Sequence, residues 1–582
     1  MKIIVKSIVL IATIALLLPV ASNAQRPSPE LFFKAAGSPV NPKLQVSWNR
    51  YHSYDGIVDF CERLERKHPN LVTLTSVGKS YEGRDMILLT ITEKGDTEHQ
   101  HKPGYYVNAN IHAAEIQGSE MAMYMAWYLT EMYAEGNVFI RELLRDKTIY
   151  IMPTINPDGR ENFLWEPNTG SSPRGGMVPR DNDRDGLFDE DGFADLNNDG
   201  VITQMRRRNP DGDWKTDPND PRRMIRVAPG EQGEWELLGR EGQIDEDGDG
   251  RADEDRVGMY DPNRDWGYNW RPNYVQSGAS QFPFALPESR AVRDFGFEHM
   301  NIAGVQLYHN TGGMILRGPS VQGGGSEVYS REDNMVLDRI GRIGERMIPG
   351  YRLLTIWSDL YTVWGGEYDW WHGAMGAYVY CNELWTGYLM FNEPGRGDQY
   401  EFDRLLLFED AFIPWEEVDH PVFGKVEVGG FNKNFGRIHP GFLFESDAHR
   451  NTAFCLLHAY HTPQVKVDDI EIEDIGGGLR RVTATITNDR MMPTHSGQNL
   501  RYNIDPPNYI YLDGGEVIAG FIVNERNHLG NDFEQRHNPQ RMEVRNISGQ
   551  SSVKVRWIVS SGNRFTVRVE SVKGGRDSKE VR

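Results

Sequence analysis

Two side chains that can bind divalent metals lie close together at the end of an apolar stretch. Residues 105–111 are mostly apolar and β-prone, His112 follows them directly, and Glu115 comes three residues later. An imidazole and a carboxylate held just past a buried strand could bind one metal ion with a more distant ligand, and catalytic zinc sites use three such protein ligands. Alone, this His-x-x-Glu pattern is a weak signal, because a surface histidine and glutamate at the start of a helix produce it too.

Two further candidates lie far along the chain. His309 follows the apolar residues 303–308, which makes it a candidate third ligand, although a lone histidine in such a place is more often structural. Glu383 lies in Tyr-Val-Tyr-Cys-Asn-Glu-Leu-Trp, the most aromatic surroundings in the chain. Burial there would raise the pKa of its carboxyl and suit it to acid–base catalysis. The alternative is a structural ion pair.

Basic side chains supply two candidate anion-binding groups. Asn263 and Arg264 place an amide beside a guanidinium, whose planar fork of donors can bind a carboxylate. The alternative is a surface arginine in a turn. Arg206, Arg207 and Arg208 form a basic run beside an acidic segment, and this run either acts on a substrate or simply neutralises that segment.

Alternating strands and helices are expected to position these residues. We predict strands at about 71–77, 85–93, 105–111, 148–155, 303–308 and 379–383, and helices near 54–67, 117–134, 287–299, 328–347 and 443–460. Nearly all-apolar strands such as 105–111 are typical of a parallel or mixed sheet that is covered by helices on both faces. After about residue 465, five short strands without long helices predict a separate β-sandwich.

Taken in order, these motifs resemble those of the zinc carboxypeptidases of the carboxypeptidase A type, over about residues 50–460. His112-Ala113-Ala114-Glu115 is similar to the family's zinc motif, His309 to its second zinc histidine, and residues 156–159 to its Asn-Pro-Asp-Gly turn. The resemblance implies an α/β fold with a mixed eight-stranded sheet flanked by helices. It also implies a metallocarboxypeptidase that holds one catalytic Zn²⁺ on His112, Glu115 and His309 and hydrolyses the C-terminal peptide bond of peptides.

The resemblance implies two catalytic residues besides the metal ligands. Glu383 precedes a leucine, as the family's general base does. Arg206 lies in Met-Arg-Arg where the family has Trp-Arg-Lys, whose arginine polarises the scissile carbonyl. Since the tryptophan is replaced by methionine, Arg207 and Arg208 remain alternatives to Arg206.

The resemblance also implies four substrate-binding residues. Asn263 and Arg264 would hold the free C-terminal carboxylate of the substrate. Tyr361 would be the family's mobile phenol, and Tyr368 would lie at the floor of the side-chain pocket, where it argues against a preference for strongly basic residues. The implied substrate is therefore a peptide with a free C-terminal carboxylate.

An acidic insertion at about 166–258 departs from the family pattern. It holds three segments with oxygen-bearing side chains at alternate positions and glycine at the sixth, as calcium loops do. These side chains are Asp181, Asp183 and Asp185, then Asp195, Asn197 and Asp199, then Asp245, Asp247 and Asp249. No glutamate occupies position twelve of any segment, so they resemble thrombospondin type 3 or dockerin loops. We expect structural Ca²⁺ that orders the insertion and positions Arg206.

The chain length, cysteine count and net charge narrow the class of protein. The chain has 582 residues, three cysteines and a net charge of −21, which disfavours nucleic acid and anionic membranes as partners. Residues 1–24 read as a signal peptide cleaved near Ala24, so we expect an exported protein without a membrane span. We predict a catalytic domain at 25–464, a β-sandwich domain at 465–582, and a monomer in solution.

Two alternative functions remain open from the sequence. One is a non-catalytic peptide- or glycan-binding protein on the same scaffold. Intact His112, Glu115, His309 and Glu383 argue against it, since these are the positions through which catalysis would be lost. The other is a hydrolase of peptidoglycan stem peptides, because the insertion could reshape the cleft.

Overall fold

A computed structural model describes residues 35–182, 184–323, 329–393, 397–524 and 531–582. Residues 43–582 form one compact unit. A second unit ends at Pro42, and its described part, residues 35–42, consists of turns and bends. The predicted signal peptide at 1–24 lies outside the described residues.

The predicted mixed sheet is confirmed. Within the described part of the chain it has eight strands. In the order in which they lie across the sheet, they are Val72–Lys79, Asp85–Ile91, Thr148–Met152, Gly104–Ala109, Ile302–Asn310, Tyr378–Leu384, Met314–Arg317 and Arg352–Thr355. The four central strands run parallel, and their outer neighbours run antiparallel to them. The carboxyl ends of the central strands therefore meet at one edge of the sheet.

Helices cover both faces of this sheet. Tyr105 and Val107 join the hydrophobic cluster on one face, and Tyr106 joins the cluster on the other, as the alternation of side chains along a strand requires. The longer helices are Tyr54–Lys67, Gln117–Ala134, Val138–Asp146, Pro157–Trp165, Pro287–Glu298, Arg331–Met347, Glu367–Gly373 and Gly441–Tyr460. Each large apolar side chain buried here contributes roughly 1.5–3 kcal/mol, so the sheet is a rigid base for groups at its edge.

A second sheet is built from the insertion and from a segment far along the chain. In spatial order its strands are Phe412–His420, Gly424–Phe431, Gln204–Arg208, Trp235–Arg240, Trp214–Asp217 and Asp220–Arg226. We call it the accessory sheet. No strand is predicted from the sequence between residues 155 and 303, and this is wrong for residues 204–240. The strands there are rich in charged residues and lack the apolar runs that mark a strand.

The predicted C-terminal β-sandwich is confirmed. One sheet contains Val465–Gly476, Leu479–Asn488, Ser551–Val559, Val517–Ile522 and Phe533–Glu534, and the other contains Arg541–Val544, Asn508–Asp513, Phe565–Ser571 and Gly575–Val581. Val482 and Trp557 of the first sheet share a core with Ile510 and Val567 of the second. The domain boundary between residues 464 and 465 stays a prediction.

Two features bear on where the protein can work. Cys61, Cys381 and Cys455 are all buried free thiols, so the fold does not depend on disulfides. Among the residues that the structure describes, no helix combines the length and the apolarity needed to cross a membrane.

Candidate active site

The three predicted metal ligands converge at the carboxyl edge of the central sheet. Nδ1 of His112 lies 3.0 Å from Oε1 of Glu115. Nδ1 of His309 lies 2.9 Å from Oε2 of Glu115 and 3.2 Å from Nδ1 of His112. All three residues are buried, and their ligand atoms lie within 4.8 Å of one another. Two imidazoles and a carboxylate are a donor set that fits catalytic Zn²⁺.

A carboxylate behind His112 fixes its orientation. Nε2 of His112 lies 2.9 Å from Oδ1 of Asp261. When the protonated Nε2 donates a hydrogen bond to Asp261, Nδ1 is unprotonated and its lone pair is directed toward Glu115 and His309. This is the tautomer that a metal ligand needs. Sequence reasoning missed Asp261, although it begins the segment that contains Asn263 and Arg264.

Asn156 and Gly159 contact the loop that carries His112 and hold it in place. The side chain of Asn156 accepts a hydrogen bond from the Gly159 amide at 3.0 Å and donates one to the Ile111 carbonyl at 3.1 Å. A Cβ at Gly159 would lie 2.6 Å from the Gly175 carbonyl oxygen and 2.7 Å from Cβ of Ala113. Only glycine fits this contact, and the Asn-Pro-Asp-Gly turn therefore packs directly against the metal-binding loop.

Glu383 lies beside the metal ligands. Its strand, Tyr378–Leu384, runs parallel to Ile302–Asn310, and Glu383 is the register partner of His309. Burial raises the pKa of the Glu383 carboxyl to about 7, and the negative charge of Glu115 adds to the effect. A carboxyl with a pKa near neutrality can both accept and return a proton.

Electrostatics keep the other two carboxylates ionised. Burial alone would raise the pKa of Glu115, but His112 and His309 hold it well below its usual range. Burial likewise opposes ionisation of Asp261, but Arg264, His112 and Arg174 hold its pKa well below the ordinary value. Glu115 is therefore available as an anionic ligand, while Glu383 is the carboxyl that can exchange a proton.

The four predicted substrate-binding residues line the same cavity, which has a volume of about 300 Å³ and also contains the metal ligands and Glu383. We call it the site cavity. Oδ1 of Asn263 accepts a hydrogen bond from the Glu367 amide at 2.8 Å, and Nη1 of Arg264 donates to the Asn263 carbonyl at 2.8 Å. The Tyr361 side chain is 59% exposed. Tyr368 is buried and donates to the Val379 carbonyl at 2.6 Å.

Arg206 does not lie in the site cavity, and the catalytic role predicted for it is corrected. Among the described residues the arginines that line this cavity are Arg174, Arg264 and Arg437. Arg206 lies in the accessory sheet, donates to Glu427 at 2.6 and 2.8 Å, and stacks about 4 Å from the ring centroids of two tryptophans, Trp235 and Trp415. Its guanidinium therefore stabilises the accessory sheet and does not reach the site cavity.

The neighbours of Arg206 are also engaged away from the site cavity. Arg207 donates to Glu236 at 2.8 Å, and Arg208 stacks on Trp235 at 4.4 Å. Of the two explanations that the sequence left open, neutralisation of nearby acids therefore describes Arg206 and Arg207.

Arg174 lines the site cavity beside the metal-binding loop. Its Nε donates to Oδ2 of Asp261 at 2.7 Å, and its carbonyl accepts from the Ala113 amide in the metal-binding loop at 3.1 Å. Sequence reasoning missed Arg174, because it and Arg206 both follow the Asn-Pro-Asp-Gly turn.

Arg437 is the third arginine of the site cavity. Its Nη2 donates to the Asn310 carbonyl at 3.0 Å and lies 4.0 Å from Oε1 of Glu115. It comes from the loop before the helix Gly441–Tyr460. No motif surrounds it, so Arg437 could not be predicted from the sequence.

The acidic segments bring some of their predicted ligands together. Carboxylate oxygens of Asp245, Asp247 and Asp249 lie within 4.8 Å of one another, and so do those of Asp185, Glu190 and Asp247. Sequence reasoning missed Glu190. The two groups therefore have Asp247 in common, which brings the first and third acidic segments together. Both groups lie on an exposed part of the insertion, where acidic groups are common without a bound ion.

The remaining predicted calcium ligands bend their own loops. Asp195 accepts from the Gly200 amide at 2.8 Å, Asp181 accepts from the Arg184 amide at 2.6 Å, and the Asn197 side chain donates to Asp199 at 3.1 Å. Asp183 lies outside the described residues. These contacts are turn geometry and do not identify a bound ion.

Comparisons with known proteins agree with this geometry. A family model described as zinc carboxypeptidase matches residues 57–399, and a model of a domain of unknown function matches residues 464–582. Carboxypeptidase Z of Rattus norvegicus is 32% identical over 111 residues, which cover 19% of this chain and 17% of that protein. The carboxypeptidase N catalytic chain of Rattus norvegicus is 30% identical over 149 residues, 25% of this chain and 32% of the relative.

A bacterial relative and two solved structures extend the comparison. A zinc carboxypeptidase of Saccharothrix mutabilis subsp. capreolus is 36% identical over 111 residues, 19% of this chain and 25% of the relative. The chain thus spans a third or less of the length of these relatives. The structure of thrombin activatable fibrinolysis inhibitor is 15% identical with a TM-score of 0.42, over 73% of this chain and 78% of that one. Carboxypeptidase A from Helicoverpa armigera is 18% identical with a TM-score of 0.41, over 72% and 75%.

Proposed function

Because the chain belongs to the zinc carboxypeptidase family, we propose that it is a zinc-dependent metallocarboxypeptidase that removes single residues from the free C-terminus of peptides. The observation that carries the proposal is the convergence of His112, Glu115 and His309 in a buried group, with Glu383 lining the same cavity. His112, Glu115 and His309 would hold the metal. When bound, Zn²⁺ supplies a Lewis acid that polarises a carbonyl and lowers the pKa of water.

Glu383 supplies the proton transfer. Its carboxylate takes a proton from the attacking water and returns it to the nitrogen of the leaving residue, a dual role that suits a carboxyl with a pKa near 7. Arg174 would place guanidinium donors where negative charge develops on the substrate carbonyl oxygen. Asp261 fixes the Arg174 side chain from behind, through the 2.7 Å contact with its Nε.

The ends of the site cavity define the substrate. Asn263 and Arg264 would bind the terminal carboxylate, because a guanidinium matches the geometry of a carboxylate. Besides the polar groups, the site cavity is lined by Tyr368 and by apolar residues that include Leu307, Leu316, Ile356, Val363 and Cys381. A positively charged substrate side chain would find no further carboxylate on the cavity wall, because among the described residues the acids that line it are Glu115, a proposed metal ligand, and Glu383, the proposed base. We therefore propose a preference for an apolar C-terminal residue.

A paired set of blocked peptides tests the function. Peptides ending in phenylalanine, leucine, lysine or aspartate are offered as free acids and as C-terminal amides, with zinc restored after chelation. We expect the free acids ending in phenylalanine and leucine to be cleaved fastest. We expect Glu383→Gln to lower kcat by about 10²–10⁴-fold while the protein keeps its zinc.

The outcomes separate the parts of the proposal. Absence of cleavage of any free acid by zinc-loaded wild type would refute the enzyme assignment. Equal cleavage of acids and amides would remove the role given to Asn263 and Arg264. Faster release of lysine than of leucine would overturn the apolar preference.

We also propose that the protein is exported after cleavage near Ala24 and is monomeric. The proposal of export is supported by the basic start, apolar run and small residues of 1–24. The N-terminal sequence of the mature protein and sedimentation equilibrium test the two statements. An intact N-terminus in cell extracts would contradict the first, and a dimer mass would contradict the second.

Structural Ca²⁺ in the insertion is a further part of the proposal, supported by the convergence of Asp245, Asp247 and Asp249. Since Arg206 lies away from the site cavity, loss of calcium should lower thermal stability more than kcat. Removing calcium from the zinc-loaded protein should lower Tm, and Asp247→Asn should abolish that response. An unchanged Tm after calcium removal would reject the calcium sites.

A further inference from the structure

A second and larger cavity adjoins the site cavity. It has a volume of about 1110 Å³, more than the ~300–1,000 Å³ of a pocket for a small ligand. Thr311 and Arg437 line both cavities. If the last residue of a peptide lies in the site cavity with its terminal carboxylate at Arg264, the upstream residues of the peptide must extend away from Arg264. The second cavity, which adjoins the site cavity, offers space for them. We call it the acyl-side cavity.

The charge of the acyl-side cavity opposes that of the whole protein. Arg223, Arg352 and Arg437 line it, whereas no aspartate or glutamate does so within the described parts of the chain. The chain as a whole carries a net charge of −21. A concave wall with one sign of charge concentrates ligands of the opposite sign, so this cavity is suited to anionic groups.

The three arginines differ in how closely an acidic side chain already neutralises their positive charge. Arg223 is bound to Asp398, which lies beside the cavity, and stacks on Tyr400 at 4.7 Å. Arg437 lies 4.0 Å from Glu115. The Arg352 side chain is exposed and forms no ion pair with any residue that the structure describes. Arg352 is therefore the cation best placed to receive a carboxylate.

A small part of the acyl-side cavity lies outside the part of the chain that matches the family. Tyr400 and Arg437 follow the matched residues 57–399. Arg223 and Met224 come from the accessory sheet, in the strand Asp220–Arg226. The accessory sheet therefore contributes part of the wall of the acyl-side cavity.

We propose that the acyl-side cavity selects peptides with carboxylate side chains upstream of the cleaved bond, and that Arg352 and Arg437 determine this specificity. The inference rests on the proposed carboxypeptidase function. Arg437, at the junction of the two cavities, would meet the side chain next to the cleaved bond, and Arg352 would meet one further upstream.

Two isosteric substrates test the proposal. Acetyl-Glu-Glu-Phe and acetyl-Gln-Gln-Phe differ in charge but not in size. We expect kcat/KM of the zinc-loaded enzyme to be about fivefold higher for the glutamate peptide, the size of a partly exposed charge–charge interaction. The advantage should shrink in about 1 M salt, where the screening length is ~3 Å.

Variants locate the effect. Arg352→Gln should lower the preference for glutamate over glutamine, whereas Arg346→Gln, an equal charge change at an exposed position that does not line the cavity, should not. A ratio of one or less in wild type would overturn the proposal, and so would an unchanged ratio in Arg352→Gln.

Failure of the inference is distinguishable from failure of the proposed function. If the glutamine peptide is cleaved as well as the glutamate peptide, the enzyme assignment stands and the acidic preference falls. If neither is cleaved, and no free acid of the earlier peptide set is cleaved either, the enzyme assignment falls. Binding of the same two peptides to Glu383→Gln, measured by calorimetry, needs no turnover and should still favour the glutamate peptide. Equal affinities there would also overturn the inference.

Discussion

Asp261 joins the metal site to the residues that would bind substrate. Its Oδ1 accepts from the Asn263 amide at 2.8 Å and lies 2.9 Å from Nε2 of His112, while its Oδ2 accepts from Nε of Arg174 at 2.7 Å. A buried carboxylate that is hydrogen-bonded by several groups holds them in fixed relative positions. The orientation of His112, a proposed metal ligand, and of Arg174, the arginine proposed to polarise the carbonyl, thus depends on one side chain.

Arg174 and Arg206 provide a matched pair of variants. Arg174→Gln should lower kcat by about 10²–10³-fold, as expected when a donor to a developing oxyanion is removed. Arg206→Gln should leave kcat nearly unchanged. Because it breaks the contacts with Glu427 and two tryptophans, it should lower the free energy of unfolding by about 1–3 kcal/mol. The reverse pattern, in kinetics and thermal unfolding, would restore Arg206 to the catalytic site.

At the residue scale, local motifs predicted the residues that depend on short spacing. His112 and Glu115 are three residues apart, and the register of two parallel strands brings His309 beside Glu383. Arg174 could not be chosen over Arg206 from the sequence, because both follow the Asn-Pro-Asp-Gly turn and only the path of the insertion decides which one reaches the site cavity.

At the scale of elements, the parallel strands of the central sheet position the candidate site residues. Gly104–Ala109, Ile302–Asn310 and Tyr378–Leu384 end at one edge of the sheet, so residues from three distant parts of the chain meet there. The apolar runs of these strands made them predictable. The accessory sheet was not predictable, because its strand Gln204–Arg208 pairs with Gly424–Phe431, which lies far along the chain.

The helix Pro287–Glu298 carries a buried acid in its first turn. Burial raises the pKa of Glu288 to about 7 from an ordinary value of 4.5, with the negative charge of Asp158 adding to the shift. The side chain still accepts a hydrogen bond from the Tyr81 amide at 2.9 Å. The favourable helix dipole at this position is thus outweighed by desolvation.

Glu288→Gln therefore gives a pH-dependent change in stability. As the pH rises from about 4.5 to about 7, the unfolded state loses the Glu288 proton before the folded state does, so wild type loses stability across this window. Glutamine cannot ionise. The free energy of unfolding of the variant relative to wild type should increase by up to about 3 kcal/mol between pH 4.5 and pH 8. Denaturant titrations at both pH values measure it, and an equal difference at both would contradict the assignment.

At the scale of the whole molecule, the C-terminal sandwich is tied to the catalytic region through Asp333. This buried carboxylate accepts from the Tyr378 hydroxyl at 2.6 Å and from the Gly497 amide at 3.0 Å. It also completes the N-terminal cap of the helix Arg331–Met347 with Ser330. One side chain therefore contacts the central sheet, a covering helix and the C-terminal region.

Asp333→Ala should destabilise both regions together. The change leaves the buried Tyr378 hydroxyl and Gly497 amide without their acceptor, at a cost of about 1–3 kcal/mol for each group. We expect one calorimetric transition that moves to lower temperature as a whole. Two separate transitions, with only the C-terminal one displaced, would show that the regions unfold independently. The control is Asp338→Ala on the same helix, since this acid is half-exposed and pairs with Arg317, and the loss of such an ion pair costs at most about 1 kcal/mol.

The zinc content of purified variants tests the central claim most directly, because it asks whether residues far apart in the chain form one site. Wild type and Glu383→Gln, dialysed against a weak chelator, should each retain about one zinc ion per chain, since three protein ligands hold a catalytic zinc. His309→Ala should lose it while keeping its fold by circular dichroism. Full retention of zinc by a folded His309→Ala variant would contradict the account, as would a wild-type protein that takes up no zinc.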